Sequence, residues 1–243
     1  LTTNILNGFA QAQFKYNKID FYTGASISNT THQRNGLYKN GKFATGNASL
    51  GKSDKPTFTN YGFKSGATYK FTGRHLVDAN AGYLTKAPTL RNAFSNARIN
   101  NDVVENLTNE KIFSADASYI FRSPNLQAKA TGYYAKIKGA TEVSFYYADG
   151  VGGSGSDYTA FVQEILTEID KKNIGIELGL EAQVTASIKL KGAANMGQYI
   201  YDSNPTLTLK SEIDGFQFAS RASNLKNYKL AAGPQQAYSV GFE

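Results

Sequence analysis

No cysteine occurs in the 243 residues, so neither a disulfide framework nor a thiolate metal site is available. Long apolar runs are missing too. The longest, Phe145-Tyr146-Tyr147-Ala148, has four residues, whereas a transmembrane helix needs about 20. That excludes helical spans but leaves a transmembrane β-barrel open, because its strands alternate and score poorly on averaged hydropathy. A mean hydropathy of −0.40 fits such a barrel with long polar loops. Acidic residues are outnumbered, 19 against 26 Lys+Arg. The basic residues are scattered, and no Lys/Arg-rich block points to nucleic acid. The two histidines, His32 and His75, are expected as solvated loop-end residues on opposite sides of the fold, too far apart to share a metal. Gly152-Gly153-Ser154-Gly155 lacks the Lys-Ser/Thr of a phosphate loop. Asp149, Asp157 and Asp170 are too dispersed for a calcium loop. No catalytic set, metal site or cofactor motif emerges, so an enzyme is not expected.

What is present is alternation. From Thr57 to Phe71 one parity carries Tyr61, Phe63, Ser65, Ala67, Tyr69 and Phe71, and the other Asn60, Gly62, Lys64, Gly66, Thr68 and Lys70. After a polar turn the pattern resumes through Val77, Ala79, Ala81 and Tyr83. A period of two is a strand signature, and this run exceeds the roughly 9–11 tilted residues that cross a bilayer. Similar segments are predicted over residues 8–16, 20–28, 112–121, from 126 onward, 174–184, 188–196 and from 236 to the end. In the segment from Leu126 the parity slips, with Lys136 and Lys138 on the formerly apolar side. That predicts a bulge or a strand that has left the bilayer. The chain begins Leu-Thr-Thr-Asn and stops within a fresh alternation, which predicts a piece of a longer protein.

Connectors alternate short and long, as when turns lie on one side of a membrane and loops on the other. The long external loops are placed at about 34–56, 87–111, 148–172 and 202–235. Within 148–172 the spacing of Phe161, Ile165 and Ile169 fits either a short amphipathic helix or an extended approach to the next strand. All five prolines fall in connectors, where no ladder hydrogen bond is lost. Tyr16, Phe21, Tyr69, Phe71, Tyr119 and Phe121 abut the short turns and are assigned to one membrane interface. Lys64, Lys70, Asp78, Asp116, Glu177, Glu181, Lys189 and Lys191 take the polar parity and are assigned to the lumen, since a cation on the lipid face near the midplane costs roughly 2–4 kcal/mol. The fold class is therefore all-β, an antiparallel transmembrane β-barrel of which eight to nine strands are present, with residues 1–243 in one barrel domain. Ligand-binding candidates lie in the loop after the fourth strand: Arg91, Asn92, Phe94, Arg98, Asn100 and Asn101. Arg, Asn and aromatic side chains suit anionic or polyhydroxyl ligands; bracing of the loop against its neighbours is the alternative role.

Several stretches resemble one family. Asn96-Ala97-Arg98-Ile99-Asn100-Asn101, Asn109-Glu110-Lys111-Ile112 and Ala130-Thr131-Gly132-Tyr133-Tyr134 are similar to TonB-dependent outer-membrane receptors of the Bacteroidota type. So are the segment from Glu168 to Gly179 and Gly197-Gln198-Tyr199-Ile200-Tyr201. The resemblance implies a large plugged barrel in the outer membrane of a Gram-negative bacterium. Such a barrel binds a small-molecule, glycan or peptide ligand outside and imports it with inner-membrane energy. It also implies as partners the outer-membrane lipids, the TonB energy-coupling protein through a segment absent from this sequence, and a surface lipoprotein as a candidate. A passive porin and a surface adhesion module are the competing readings.

Overall fold

The computed structural model describes residues 1–40, 48–149, 159–211, 217–231 and 233–243. In chain order the elements are β1 (Thr2–Lys15), β2 (Ile19–Gln33), β3 (Asn35–Gly36), β4 (Gly51–Lys52), β5 (Thr57–Lys70) and β6 (His75–Lys86). There follow the one-turn helix α1 (Leu90–Ala93), β7 (Glu110–Arg122), β8 (Leu126–Asp149), β9 (Thr159–Thr185) and β10 (Ile188–Tyr201). Last come β11 (Thr206–Ser211), β12 (Gln217–Ala222) and β13 (Gln236–Phe242). The long strands form one antiparallel meander, β1-β2-β5-β6-β7-β8-β9-β10-β13. Each long strand lies beside the next long strand of the chain, whether a short turn or a long connector joins them. β1 and β13 do not pair with each other, so the sheet is open and forms part of a barrel wall.

Register explains why two faces persist across the sheet. Residues directly opposite in an antiparallel pair point the same way, and the ladders align Phe14, Phe21, Ala67, Ala79, Ala117, Gly132, Ile176 and Met196 in one row. The next row of that parity carries Tyr69, Val77, Tyr119, Ala130 and Leu178. The large apolar side chains of this parity stand exposed: Ile176 is 49 % exposed, Leu180 51 % and Phe63 58 %. In water such a face would be an aggregation hazard, and the same surface is what a hydrocarbon solvent requires. At its short-turn end the aromatics cluster, Tyr69 edge-on to Phe71 at 4.8 Å and Phe14 stacked on Phe21 at 4.8 Å.

The opposite face is polar and cross-linked. Tyr22 donates to Asn80 Oδ1 at 3.0 Å, and the Asn80 amide donates to Asp78 at 2.8 Å and Asp116 at 3.0 Å. Gly66 lies beneath this network, where a Cβ would press on the Tyr22 ring at 2.6 Å. Further along, the Tyr133 and Tyr199 hydroxyls bond to each other. A Cβ at Gly197 would stand 2.5 Å from the Tyr133 hydroxyl.

Three expectations are corrected. β1 starts at Thr2, not near Gly8, and pairs with β2 as far as Gln33. Beyond a lipid band nothing requires an apolar parity, so the alternation fades while the ladder continues. The expected loop over 148–172 is a hairpin: β8 runs to Asp149 and β9 begins at Thr159, paired from Asp149↔Thr159 onward. Phe161, Ile165 and Ile169 are therefore in a strand, and the helix alternative falls. The Gly152–Gly155 run lies outside the described residues. His32 is not solvated but 3 % exposed, held between Thr3 Oγ1 at 3.0 Å and the Pro88 carbonyl at 3.0 Å.

The β7–β8 ladder runs without a shift through Lys138, so Lys136 and Lys138 keep the parity of Phe113, and the expected bulge lies only on the β9 side, past Lys136. The β8–β9 register shifts between Ile137 and Ala140 and again before Glu142. Gly139 takes φ +69 there, a conformation open to glycine at little cost. Its N–H is received by the Asp170 carboxylate at 3.1 Å.

Candidate functional site

The described parts of the long connectors lie at one end of the sheet, and those of the β2–β5 and β6–β7 connectors pack into one assembly. Its centre is Arg34, just after β2, which is 5 % exposed. Arg34 Nε donates to the Ala97 carbonyl at 2.8 Å, and Nη1 donates to the Ser49 carbonyl at 2.6 Å and to Asn101 Oδ1 at 2.5 Å. Burial lowers the guanidinium pKa from its ordinary value, and an arginine still stays charged, so these are charge-assisted bonds. The Asn101 side-chain amide completes the tie by donating to the Leu50 carbonyl at 3.3 Å. Asn40 Nδ2 adds a bond to the Ile99 carbonyl at 3.0 Å. One buried cation thus clamps the β2–β5 connector onto the β6–β7 connector.

Other residues of the second connector are used in the same way. Thr89 caps α1, its Oγ1 accepting from the Asn92 N–H at 3.3 Å. Asn92 Oδ1 accepts from the Val143 N–H of β8 at 3.3 Å. Phe94 is fully buried and bridges to Val103. Asn100 Oδ1 accepts from the Asp102 N–H at 3.1 Å, closing the turn. Val104 then packs with Val143 and Ile165, with Leu107 and Phe145 against them, which seats the connector on the β8–β9 hairpin. β11 extends that hairpin by pairing with β9. The Lys210 ammonium of β11 meets Asp102 at 3.0 Å.

The six ligand candidates therefore separate. Phe94, Asn100 and Asn101 are directed into the assembly, and Asn92 bonds to a backbone amide. Arg91 and Arg98 are exposed, and their side chains have no partner among the described residues. Arg98 borders a pocket of about 250 Å³ together with Leu37 and Tyr38, which are 73 % and 77 % exposed. Beneath the assembly, a pocket of about 500 Å³ is lined by Ser28, Thr30, His32, Asn60, Thr85 and Lys86 among others. It shares Leu84 with a larger pocket, about 630 Å³, that reaches Tyr22, Lys64, Asn80 and Asp116. Among the described residues no three His, Cys, Asp or Glu side chains converge as a metal site.

The eight residues assigned to the lumen lie on the polar face in separate groups. Asp78 and Asp116 share the Asn80 amide, and Lys64 lies 5.8 Å over the Tyr22 ring. Lys189 pairs with Glu181 at 2.9 Å and Lys70 with Asp20 at 2.7 Å. Glu177 accepts from Asn195 at 3.2 Å and Lys191 pairs with Glu243 at 2.5 Å. Sequence reasoning missed the joining residues Tyr22, Asn80, Tyr133 and Tyr199. Tyrosine at the polar parity, in Tyr22 and Tyr133, was the available signal.

An open antiparallel wall with an apolar outer parity, a networked polar parity and all long loops at one end defines a segment of a membrane β-barrel. More specifically, the TonB dependent receptor-like β-barrel family model matches residues 1–243, and the chain belongs to that family. This is a family of receptors and transporters of the Gram-negative outer membrane, not of enzymes. Among solved structures the chain is similar to the copper transporter OprC, at 17 % identity over 86 % of this chain and 31 % of that one, with a TM-score of 0.62. A mutant of the ferric enterobactin receptor PfeA of Pseudomonas aeruginosa also matches, at 10 % identity over 98 % of this chain and 44 % of that one, with a TM-score of 0.34. The chain thus spans about a third of the length of the OprC chain. No curated protein matches it.

Proposed function

We propose that residues 1–243 form part of the wall of one barrel domain in an outer-membrane receptor that imports its ligand. Ligand arrives at the loop assembly and passes along the polar face, which lines the lumen. Import draws on inner-membrane energy through TonB, engaged by a segment outside this sequence. One observation carries the reading: the loops form a braced roof at one end of the polar face, over two adjoining pockets. In this reading Arg91 and Arg98 offer free guanidinium groups to an anionic or polyhydroxyl ligand. Asn92, Phe94, Asn100 and Asn101 hold the loop that presents them. Tyr16, Phe21, Tyr69, Phe71, Tyr119 and Phe121 sit at the periplasmic interface, where amphipathic rings are favoured. A passive channel would share the wall but would have no use for energy coupling.

The test is fractionation of the full-length protein, followed by electrophoresis with and without heating. The reading expects recovery in the outer membrane and a heat-dependent shift in mobility. It further expects uptake of the ligand, once found, to stop in cells lacking TonB. Recovery in a soluble fraction, or uptake indifferent to TonB, would contradict it.

A further inference from the structure

Four lysines occupy the apolar parity at the long-loop end of the sheet. Phe113, Lys136 and Lys172 are aligned across β7, β8 and β9, and Lys111 lies directly opposite Lys138 one step further out. They are the only lysines on that parity among the described residues of the spanning strands. Like charges directly opposite each other in a sheet are unfavourable, and here there are two such pairs, Lys111↔Lys138 and Lys136↔Lys172. Compensation is partial. Asp202 pairs with Lys136 at 2.6 Å and lies 3.8 Å from Lys172. The nearby Asp170 carboxylate receives the Gly139 N–H. Lys111 and Lys138 are exposed and make no ion pair among the described residues.

The height of this cluster identifies its surroundings. Ten residues separate Lys111 from Phe121 on β7, which at about 3.3 Å per residue and a tilt of about 40° spans roughly 25 Å along the bilayer normal. That matches the thickness of the apolar band of such barrels, so the lysines stand where lipid headgroups begin. Phe113 shares the row of Lys136 and Lys172 and lies 6.2 Å from Tyr134 in the row below, which also holds Ile174; Ile176 and Leu178 follow on the same face. A cation is costly on the lipid face near the midplane and tolerated at the interface. A cluster with excess positive charge there is complementary to an anion that is itself anchored in the apolar band.

We infer that Lys111, Lys136, Lys138 and Lys172 form a binding site for the phosphate-bearing headgroup of an anionic membrane lipid in the leaflet on the long-loop side. The acyl chains lie on the apolar face below, against Phe113 and Tyr134. The lysines supply charge-assisted hydrogen bonds to phosphate oxygens, and Asp202 keeps Lys136 and Lys172 apart.

The test uses the full-length protein in neutral detergent, titrated with the bisphosphorylated glycolipid lipid A and read by native mass spectrometry. Heat-modifiable mobility of each sample reports the folded barrel independently. Wild type should retain lipid A far better than the same lipid stripped of both phosphates. Lys111→Gln with Lys138→Gln should weaken binding about 25-fold, at about fivefold per cation. Lys111→Arg with Lys138→Arg should keep it, and Lys129→Gln on the polar face should change nothing. Equal affinity for the phosphate-free lipid would overturn the inference without reference to any variant. So would unchanged lipid A binding by the folded double Gln variant. Displacement of the lipid by millimolar inorganic phosphate would make it a free-anion site instead, and would equally overturn it.

Discussion

The spanning sheet and the loop assembly above it are made of the same strands but obey different solvents. On β9, Ile174, Ile176, Leu178 and Leu180 stand 45–51 % exposed on one parity, while ten residues earlier Val162, Gln163 and Ile165 are all within 4 % of complete burial. In the proposed barrel wall the backbone ladder of the first stretch is internal and its side chains would face lipid on one side and water on the other, which enforces alternation. In the second, Val162, Gln163 and Ile165 are covered by protein, and neither lipid nor water enforces alternation there. Stability accordingly has two sources. The sheet is held by its ladder and by its apolar parity in hydrocarbon; the assembly is held by a small core and by Arg34. Damage to one is expected to leave the other standing.

The largest separation should come from the core of the assembly. Ile165→Ala removes a buried side chain packed on Val104 and Val143, a change that costs about 2–5 kcal/mol. Hydrogen exchange of residues 95–104 should accelerate while heat-modifiable mobility is retained. The mirror experiment charges the other region. Leu178→Lys places a cation on the apolar parity and should cost roughly 2–4 kcal/mol in urea unfolding from liposomes. Gly179→Lys, one residue on and with open space at its Cβ, should be tolerated.

Arg34→Met comes next, since it removes a buried charged donor from the Ser49 and Ala97 carbonyls. A loss of about 3 kcal/mol of loop stability is expected from such charge-assisted bonds, read as protease cleavage within residues 87–109. Ligand binding should fall and barrel assembly should not. The Lys210–Asp102 tie is smaller, because Asp102 is 45 % exposed, and is expected at about 1 kcal/mol or less and to weaken with salt.

The smallest effect concerns pH. The Asp202 carboxyl is held below the ordinary carboxylate range chiefly by the hydrogen bond from Lys136. A depressed folded-state pKa stabilises the protein above the unfolded value, and the stabilisation is lost as pH falls through the folded value. Exchange of the amides around residues 202–211 should thus rise only in acid, and Asp202→Asn should make it insensitive to acid.

The same contrast explains what could be read in the amino-acid order. Strands such as β5 and β7 were legible because each side chain's solvent is written in its parity, and Lys64, Asp78 and Glu177 fell on the polar side for that reason. Over 159–169 burial by protein falls on the neighbours Val162 and Gln163 alike, so Phe161, Ile165 and Ile169 carried no clear period-two signal and matched a helical spacing equally well. Arg34 was overlooked because its partners are mostly carbonyls at residues 49, 97 and 98, which no side-chain pattern marks. His32 was misjudged because the Thr3 hydroxyl and Pro88 carbonyl that hold it are brought near only by the ladder and the loop. The role of Asn101 as a brace could not be told from that of a ligand contact, since both use the same amide.

The central claim is that the two parities of the long strands face lipid and an aqueous lumen. No cysteine occurs in residues 1–243, so with any cysteine elsewhere in the protein replaced a direct measurement is open. Single cysteines would be placed at each position from Ile174 to Ala182 of β9 in the full-length protein, reconstituted in liposomes and treated with a membrane-impermeant maleimide. The account predicts a period of two, with positions 174, 176, 178 and 180 protected and positions 175, 177, 179 and 181 labelled. Uniform labelling, or protection without that period, would contradict it.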